Sequence, residues 1–197
     1  MIPMQRRHLT PLLLAAAALK PGSAAAWQLF SPALPDVRLL DQARRPWRFR
    51  SEALAGRSAV AIELIYAGCT SICPLSTQVM AQARLALGGD AAEVRCVSLT
   101  LDPGTDTPER LAGYAAAADA TAAAQAGDWL FLTGAPRDMQ AVLRALRARF
   151  GHPDNHTPIF FVGDGPSLAL RQLFAIPPPE ELADEIRSVL RPARTAL

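Results

Sequence analysis

The sequence predicts an α/β sandwich, and three observations carry that prediction. Short apolar runs at residues 60–65, 93–101 and 129–132 have the composition of buried strands. Stretches at helical spacing separate them, which implies parallel pairing. Two further segments alternate in polarity around a turn, so antiparallel hairpins flank the parallel part.

In chain order, residues 34–40 alternate, Asp41 to Pro46 supply a turn, and Trp47 to Phe49 alternate again, an N-terminal β-hairpin. Residues 60–65 form a strand, and residues 74–87 a helix with Val79, Ala83 and Leu87 on one side, ended by Gly88 and Gly89. The strand at 93–101 leads into a loop, Asp102 to Thr107. Pro108, suited to a first helical turn, opens a helix to residue 118. The alanine-rich stretch 115–126 reads as a helix end running into a variable loop. A strand at 129–132 and an amphipathic helix at 135–150 follow. The chain closes with a hairpin, residues 159–162 and 168–174 about a Gly163–Gly165 turn, and a helix at 178–190. There are no internal repeats. This order describes a thioredoxin-like sandwich: a central mixed sheet flanked by helices, with an N-terminal β-hairpin.

The first 26 residues are set apart from residues 27–197, which we read as one thioredoxin-like domain. Arg6 and Arg7, an apolar run at 9–19 and small residues at Ala24 and Ala26 have the order of a cleaved export signal. The run is about half the roughly 20 residues that span a bilayer, so export to the periplasm is expected, with a retained inner-membrane anchor as the alternative. The arginine pair resembles a twin-arginine signal, and an ordinary basic leader has the same residues. Without Arg6, Arg7 and Lys20 the formal +2 of the whole chain loses three positive charges and becomes −1. The remaining basic residues are all arginine and look dispersed, without an aromatic–basic stripe, which argues against nucleic-acid binding.

Three cysteines are too few for a disulfide scaffold in a chain of 197 residues. Cys69 and Cys73 stand four apart where a strand hands over to a helix. Cys96 lies in a strand pattern and reads as a small buried hydrophobe. A helix N-terminus stabilises a thiolate, so at least one of the pair should be ionised near neutral pH. Helical positions four apart hold their Cβ atoms about 5–6 Å apart, whereas a disulfide wants about 3.5–4.5 Å. A disulfide therefore needs Cys69 to lie before the helix or the first turn to distort. Two metal–sulfur bonds of about 2.3 Å bridge the gap with less adjustment. Both chemistries remain open on spacing alone.

Three stretches resemble the Sco/SenC family: Ile65-Tyr-Ala-Gly-Cys-Thr-Ser-Ile-Cys-Pro74, Leu99-Thr-Leu-Asp-Pro-Gly-Thr-Asp-Thr-Pro-Glu109, and Asn155-His156-Thr157 ahead of Ile159-Phe-Phe-Val-Gly-Asp-Gly165. The resemblance covers residues 34–190. It implies a thioredoxin-like copper protein that assists assembly of the binuclear copper centre of cytochrome c oxidase. It also implies Cys69, Cys73 and His156 as metal ligands, a set whose softness suits Cu(I) and, with a further donor or water, Cu(II). The implied partner is a copper-accepting protein, such as a membrane-bound oxidase subunit met transiently, with a thiol–disulfide reductase to keep the pair reduced.

Two departures matter. Thr70 and Ser71 stand where the family has Pro-Asp, removing an acidic residue beside the site. Thr157-Pro158 resembles the Thr–cis-Pro that faces the cysteines of thioredoxins, which supports a second reading: a thiol–disulfide oxidoreductase using Cys69 and Cys73 as its redox pair on the cysteines of a copper-site subunit. Transfer of copper by ligand exchange needs exposed thiolates, not turnover. A zinc site of the two cysteines with His152 and His156 is disfavoured by the irregular loop around Gly151 and Pro153. A peroxide-reducing enzyme lacks an arginine beside Cys69. Asp102, Asp106 and Glu109 read as a loop cap rather than a metal cluster: Asp106 or Thr107 is expected to cap the helix that follows, and Asp102 to stand near the site at a strand end. Trp47, Trp129, Phe131, Phe160 and Phe161 are assigned to the core.

Overall fold

The structure, a computed structural model, describes residues 26–148 and 157–195. Its elements in chain order are β1 (Gln28–Phe30), β2 (Arg38–Leu40), β3 (Pro46–Arg48), β4 (Ala59–Ile65), α1 (Ile72–Leu87), β5 (Val94–Thr100), α2 (Pro108–Ala117), α3 (Thr121–Ala126), β6 (Trp129–Leu132), α4 (Pro136–Ala145), β7 (Phe160–Asp164), β8 (Leu170–Leu173) and α5 (Pro179–Thr195). A six-stranded sheet has the order β1-β8-β7-β4-β5-β6, and β2 and β3 form a separate hairpin. β4, β5 and β6 are parallel, and β7, β8 and β1 join antiparallel. This is the expected mixed sheet.

Strand alternation divides the interior in two. Ala59, Ala61 and Ile65 of β4 point to the face covered by α1, α2, α3 and α5. Val60, Ile62 and Leu64 point to the other face, under α4, the β2–β3 hairpin and a π-helical turn at Phe49–Leu54. By the same alternation Glu63 shares the α1 face with both cysteines, and its hydrogen bond to Thr77 of α1 shows this directly. Trp129, Phe131, Phe160 and Phe161 are fully buried or nearly so, as expected, while Trp47 is only half-buried.

Three expectations are corrected. The alanine-rich stretch is not a helix end running into a loop: α2 stops at Ala117 and α3 follows. Ala120 and Ala124 are buried, and alanine's high helix propensity lets a short helix pack closely against β6. Gly127, at φ 75°, ends α3 in the left-handed region that favours glycine. α4 ends at Ala145, well before residue 150, and Arg147 at φ 55° turns the chain away. β1 was not expected; three residues are too few to show a period, and pairing with β8 makes it a strand. Among the described residues no helix is long and apolar enough to cross a membrane. The expected export signal, residues 1–26, lies outside them but for Ala26.

Candidate functional site

The site is built where β4 ends and α1 begins. β4 runs out at Ile65, the Cys69 N–H donates to the Tyr66 carbonyl at 3.1 Å, and the chain enters α1 at Ile72. Cys69 therefore lies before the helix and Cys73 in its first turn, the condition that brings a disulfide within reach. Pro74 also sits in that turn, where its missing N–H costs nothing. Ser71 stands at the N-cap without capping by its side chain. The Cys69 sulfur takes that place: the Cys73 N–H donates to it at 3.4 Å. A sulfur aimed at otherwise unpaired first-turn N–H groups meets the positive end of α1.

The two thiols are electrostatically unlike. Burial opposes ionisation of Cys69, but the N–H groups of Cys73 and Ser71 and the Cys73 thiol outweigh it and bring Cys69 down to about 7. Cys73 is fully buried; desolvation first, then its bond to Cys69, hold it far above the ordinary thiol range. The exposure that ligand exchange needs is thus confined to Cys69, which is 7 % exposed, since Cys73 is not exposed at all. Alkylation of the reduced protein by iodoacetamide should follow this asymmetry. Modification of Cys69 should rise with pH through a midpoint near 7, while Cys73 and Cys96 react far more slowly, as peptide mass spectrometry can resolve.

Cys69 opens onto a cleft of about 860 Å³ between α1 and α2, lined also by Ala67, Leu75, Gln78, Arg110 and Tyr114. Leu75 and Leu85 on its rim are exposed. The cleft gives a partner's side chain a route to the one sulfur that reaches the surface.

Sequence reasoning missed two residues beneath this loop. Of Asp106 and Thr107, either of which was expected to cap α2, Thr107 does so, accepting from Arg110 N at 3.4 Å. Buried Asp106 instead accepts from Ala67 N at 2.9 Å and Thr100 Oγ1 at 2.6 Å, tying the cysteine loop to the end of β5. Asp102 stays beside it, its N–H donating to Thr100 Oγ1, and Glu109 turns outward to pair with Arg44. The signal was available: an Asp inside a loop that follows a buried strand has a backbone donor to find.

The second residue is Glu63, the single acid in an otherwise apolar strand. Its Oε1 accepts from Ser98 Oγ at 2.7 Å and Thr77 Oγ1 at 3.1 Å, and Oε2 has no partner. Trp129 Nε1 donates to Ser98, and the Tyr114 hydroxyl, on the cleft wall, lies 2.9 Å from Thr77 Oγ1. Burial raises Glu63 to about 8 against the weaker pull of those two hydroxyls. The folded chain then holds a proton that the unfolded chain has released, so this group loses stability as pH climbs from 4.5 to about 8. Glu63→Gln should remove that loss, up to about 1.4 kcal/mol per pH unit relative to the parent chain, in urea melts across this range.

His156 and His152 lie outside the described residues, so the structure brings two of the three expected ligands together. Among the described residues no group of three or more His, Cys, Asp or Glu side chains converges. No cis peptide bond occurs among the described residues, Thr157–Pro158 included. Cys96 is buried in β5 and, through burial first, raised to about 11, in keeping with a packing role.

A model of the SCO1/SenC family matches residues 36–191. No curated protein sequence matches the chain. Among solved structures, BsSco, a member of the Sco family of cytochrome c oxidase assembly proteins, is 20 % identical, with a TM-score of 0.68 over 83 % of this chain and 96 % of that one. Copper-bound ScoI of Bradyrhizobium japonicum is 24 % identical, with a TM-score of 0.60 over 78 % and 96 %. Copper-bound yeast Sco1 is 19 % identical, with a TM-score of 0.65 over 83 % and 93 %. At such identities the likeness establishes the thioredoxin-like fold.

Proposed function

Because the chain belongs to the SCO1/SenC family, we propose that it is a periplasmic copper-binding metallochaperone. In this reading Cys69, Cys73 and His156 take up Cu(I) and pass it to the copper centre of cytochrome c oxidase or a related cuproprotein. The observation that carries it is the sulfur of Cys69 capping α1 beside the Cys73 thiol, at the head of an open cleft. Two soft donors on one turn suit a soft ion, and His156 completes a low-coordinate set. The same donors accept Cu(II) with a further ligand. Delivery needs a partner whose competing ligands reach Cys69 through the cleft. Copper-bound relatives support the choice of metal. The leader's residue order supports export to the periplasm, and a retained leader would anchor the same domain to the inner membrane.

Titrating the reduced protein with Cu(I) against a competing chelator tests this reading. One equivalent should bind far more tightly than to the Cys69→Ala variant. Stoichiometry below one, or equal affinity in that variant, sinks it.

The asymmetry of the pair favours a second reading, thiol–disulfide exchange. The Cys69 thiolate would attack a partner disulfide, releasing one partner thiol. Cys73, giving up its proton, would then close the Cys69–Cys73 disulfide and release the other. The two electrons come from the pair, and a thiol–disulfide reductase must return them. The readings separate at His156→Ala, which should abolish copper binding by the first and leave disulfide exchange intact by the second.

A further inference from the structure

The arginines that look dispersed along the sequence gather in space at the opposite end of the sheet. Arg57 precedes β4, Arg95 lies at the start of β5, Arg84 lies in the last turn of α1, and Arg45 precedes β3. β4 has seven residues, so at roughly 3.3 Å each this edge lies about 20 Å from the cysteines. Two carboxylates serve the group. Asp41 pairs with Arg45 at 2.7 Å, and Asp128 is shared by Arg57 at 2.6 Å and Arg84 at 3.0 Å.

Neither serves Arg95. Its side chain is held under Gly56, and its guanidinium lies 4.9 Å from the Trp47 ring centroid. The residue is 5 % exposed, yet its Nε and Nη1 are buried without an acceptor, as is the Nε of Arg57. Burial and then the neighbouring charge of Arg57 push the Arg95 guanidinium below its ordinary value, with Asp128 opposing. Arginine nevertheless keeps its charge in proteins. A charge taken from water with only a carboxylate already paired to two other arginines nearby is a strong demand for a counterion, and a cation–π contact answers it only in part.

We propose that Arg95, with Arg57 at its side and Trp47 against it, forms a binding site for a small free oxyanion of the phosphate or sulfate class. Three unmatched nitrogens on two guanidiniums, carrying four N–H groups, call for several acceptor oxygens on one ion, which chloride lacks. The depth of Arg95 favours a free ion over a headgroup held at a membrane surface. The site is independent of the copper reading and uses none of its residues.

The test is thermal unfolding of the full-length chain, without added copper, in inorganic phosphate against chloride at matched pH and ionic strength. Phosphate should raise Tm saturably beyond chloride. Arg95→Met and Arg57→Gln should each weaken the apparent phosphate affinity by about tenfold or more. Arg137→Gln, on the exposed face of α4, should leave it unchanged. If Arg95→Met does not fold, Arg57→Gln carries the same readout. Equal Tm in the two salts, or a phosphate effect kept in both variants (an adventitious ion only), overturns the site.

Discussion

Cys73→Ala is expected to weaken Cu(I) binding by more than about a hundredfold, or about 2.8 kcal/mol, in a chelator competition. Loss of a residue that merely orients a ligand costs about 10- to 100-fold, so loss of a ligand should exceed that range. Cys73 is the stricter test of the pair. It is buried, so solvent does not replace it readily, and its thiol is already bonded to the Cys69 sulfur. Cys69→Ala should cost at least as much and should also leave the Cys73 N–H at the head of α1 without its acceptor. Melts of the copper-free variants separate the two effects, because only the second loses stability through a missing cap. An affinity within threefold of the parent chain in either variant would remove that cysteine from the site.

Asp106→Ala should lower the stability of the copper-free protein by about 3 kcal/mol, since it strands buried Thr100 Oγ1 and half-buried Ala67 N at about 1–3 kcal/mol each. Both bonds go to Asp106 Oδ2, so Asp106→Asn, which keeps one acceptor oxygen, should lose less than the alanine variant. Urea unfolding measures both. Copper affinity should fall too, by about tenfold, because Asp106 holds the backbone two residues before Cys69. A surface role for Asp106, as a cap at the start of α2, would instead cost about 1 kcal/mol and leave copper affinity alone.

Much of this site was legible because its parts are local. The apolar run into β4, the cysteines four apart and Pro74 in a first helical turn are read from neighbours in the chain. The position of Cys69 just ahead of α1 was foreseen as one of two cases, and the fold chooses it. Residues that act across elements were not legible in the same way. Asp106 reaches Ala67 over 39 positions and Glu63 reaches Ser98 over 35, and neither pairing leaves a periodic trace. Glu63 had a weaker sign, as an acid where alternation demands a buried side chain. The arginine cluster had none, since Arg45, Arg57, Arg84 and Arg95 meet only because three parallel strands begin at one edge. Alanine misled for a related reason: residues 115–126 carry no bulky anchors, and packing against β6 makes α3 a helix.

The acidity of Cys69 and the protection of Cys73 divide the labour of the pair. Under the copper reading one sulfur would meet the partner and the other retain the cargo, which suits delivery better than tight storage. The same division suits a nucleophile and its resolving thiol, so the identity of the third donor decides between the two chemistries.

X-ray absorption of the Cu(I)-loaded protein addresses that donor most directly. The copper site proposed above requires two sulfur scatterers and one imidazole nitrogen around copper, with the nitrogen lost in His156→Ala and a sulfur lost in Cys73→Ala. A sulfur-only shell unchanged in His156→Ala, or copper bound without sulfur, would contradict it.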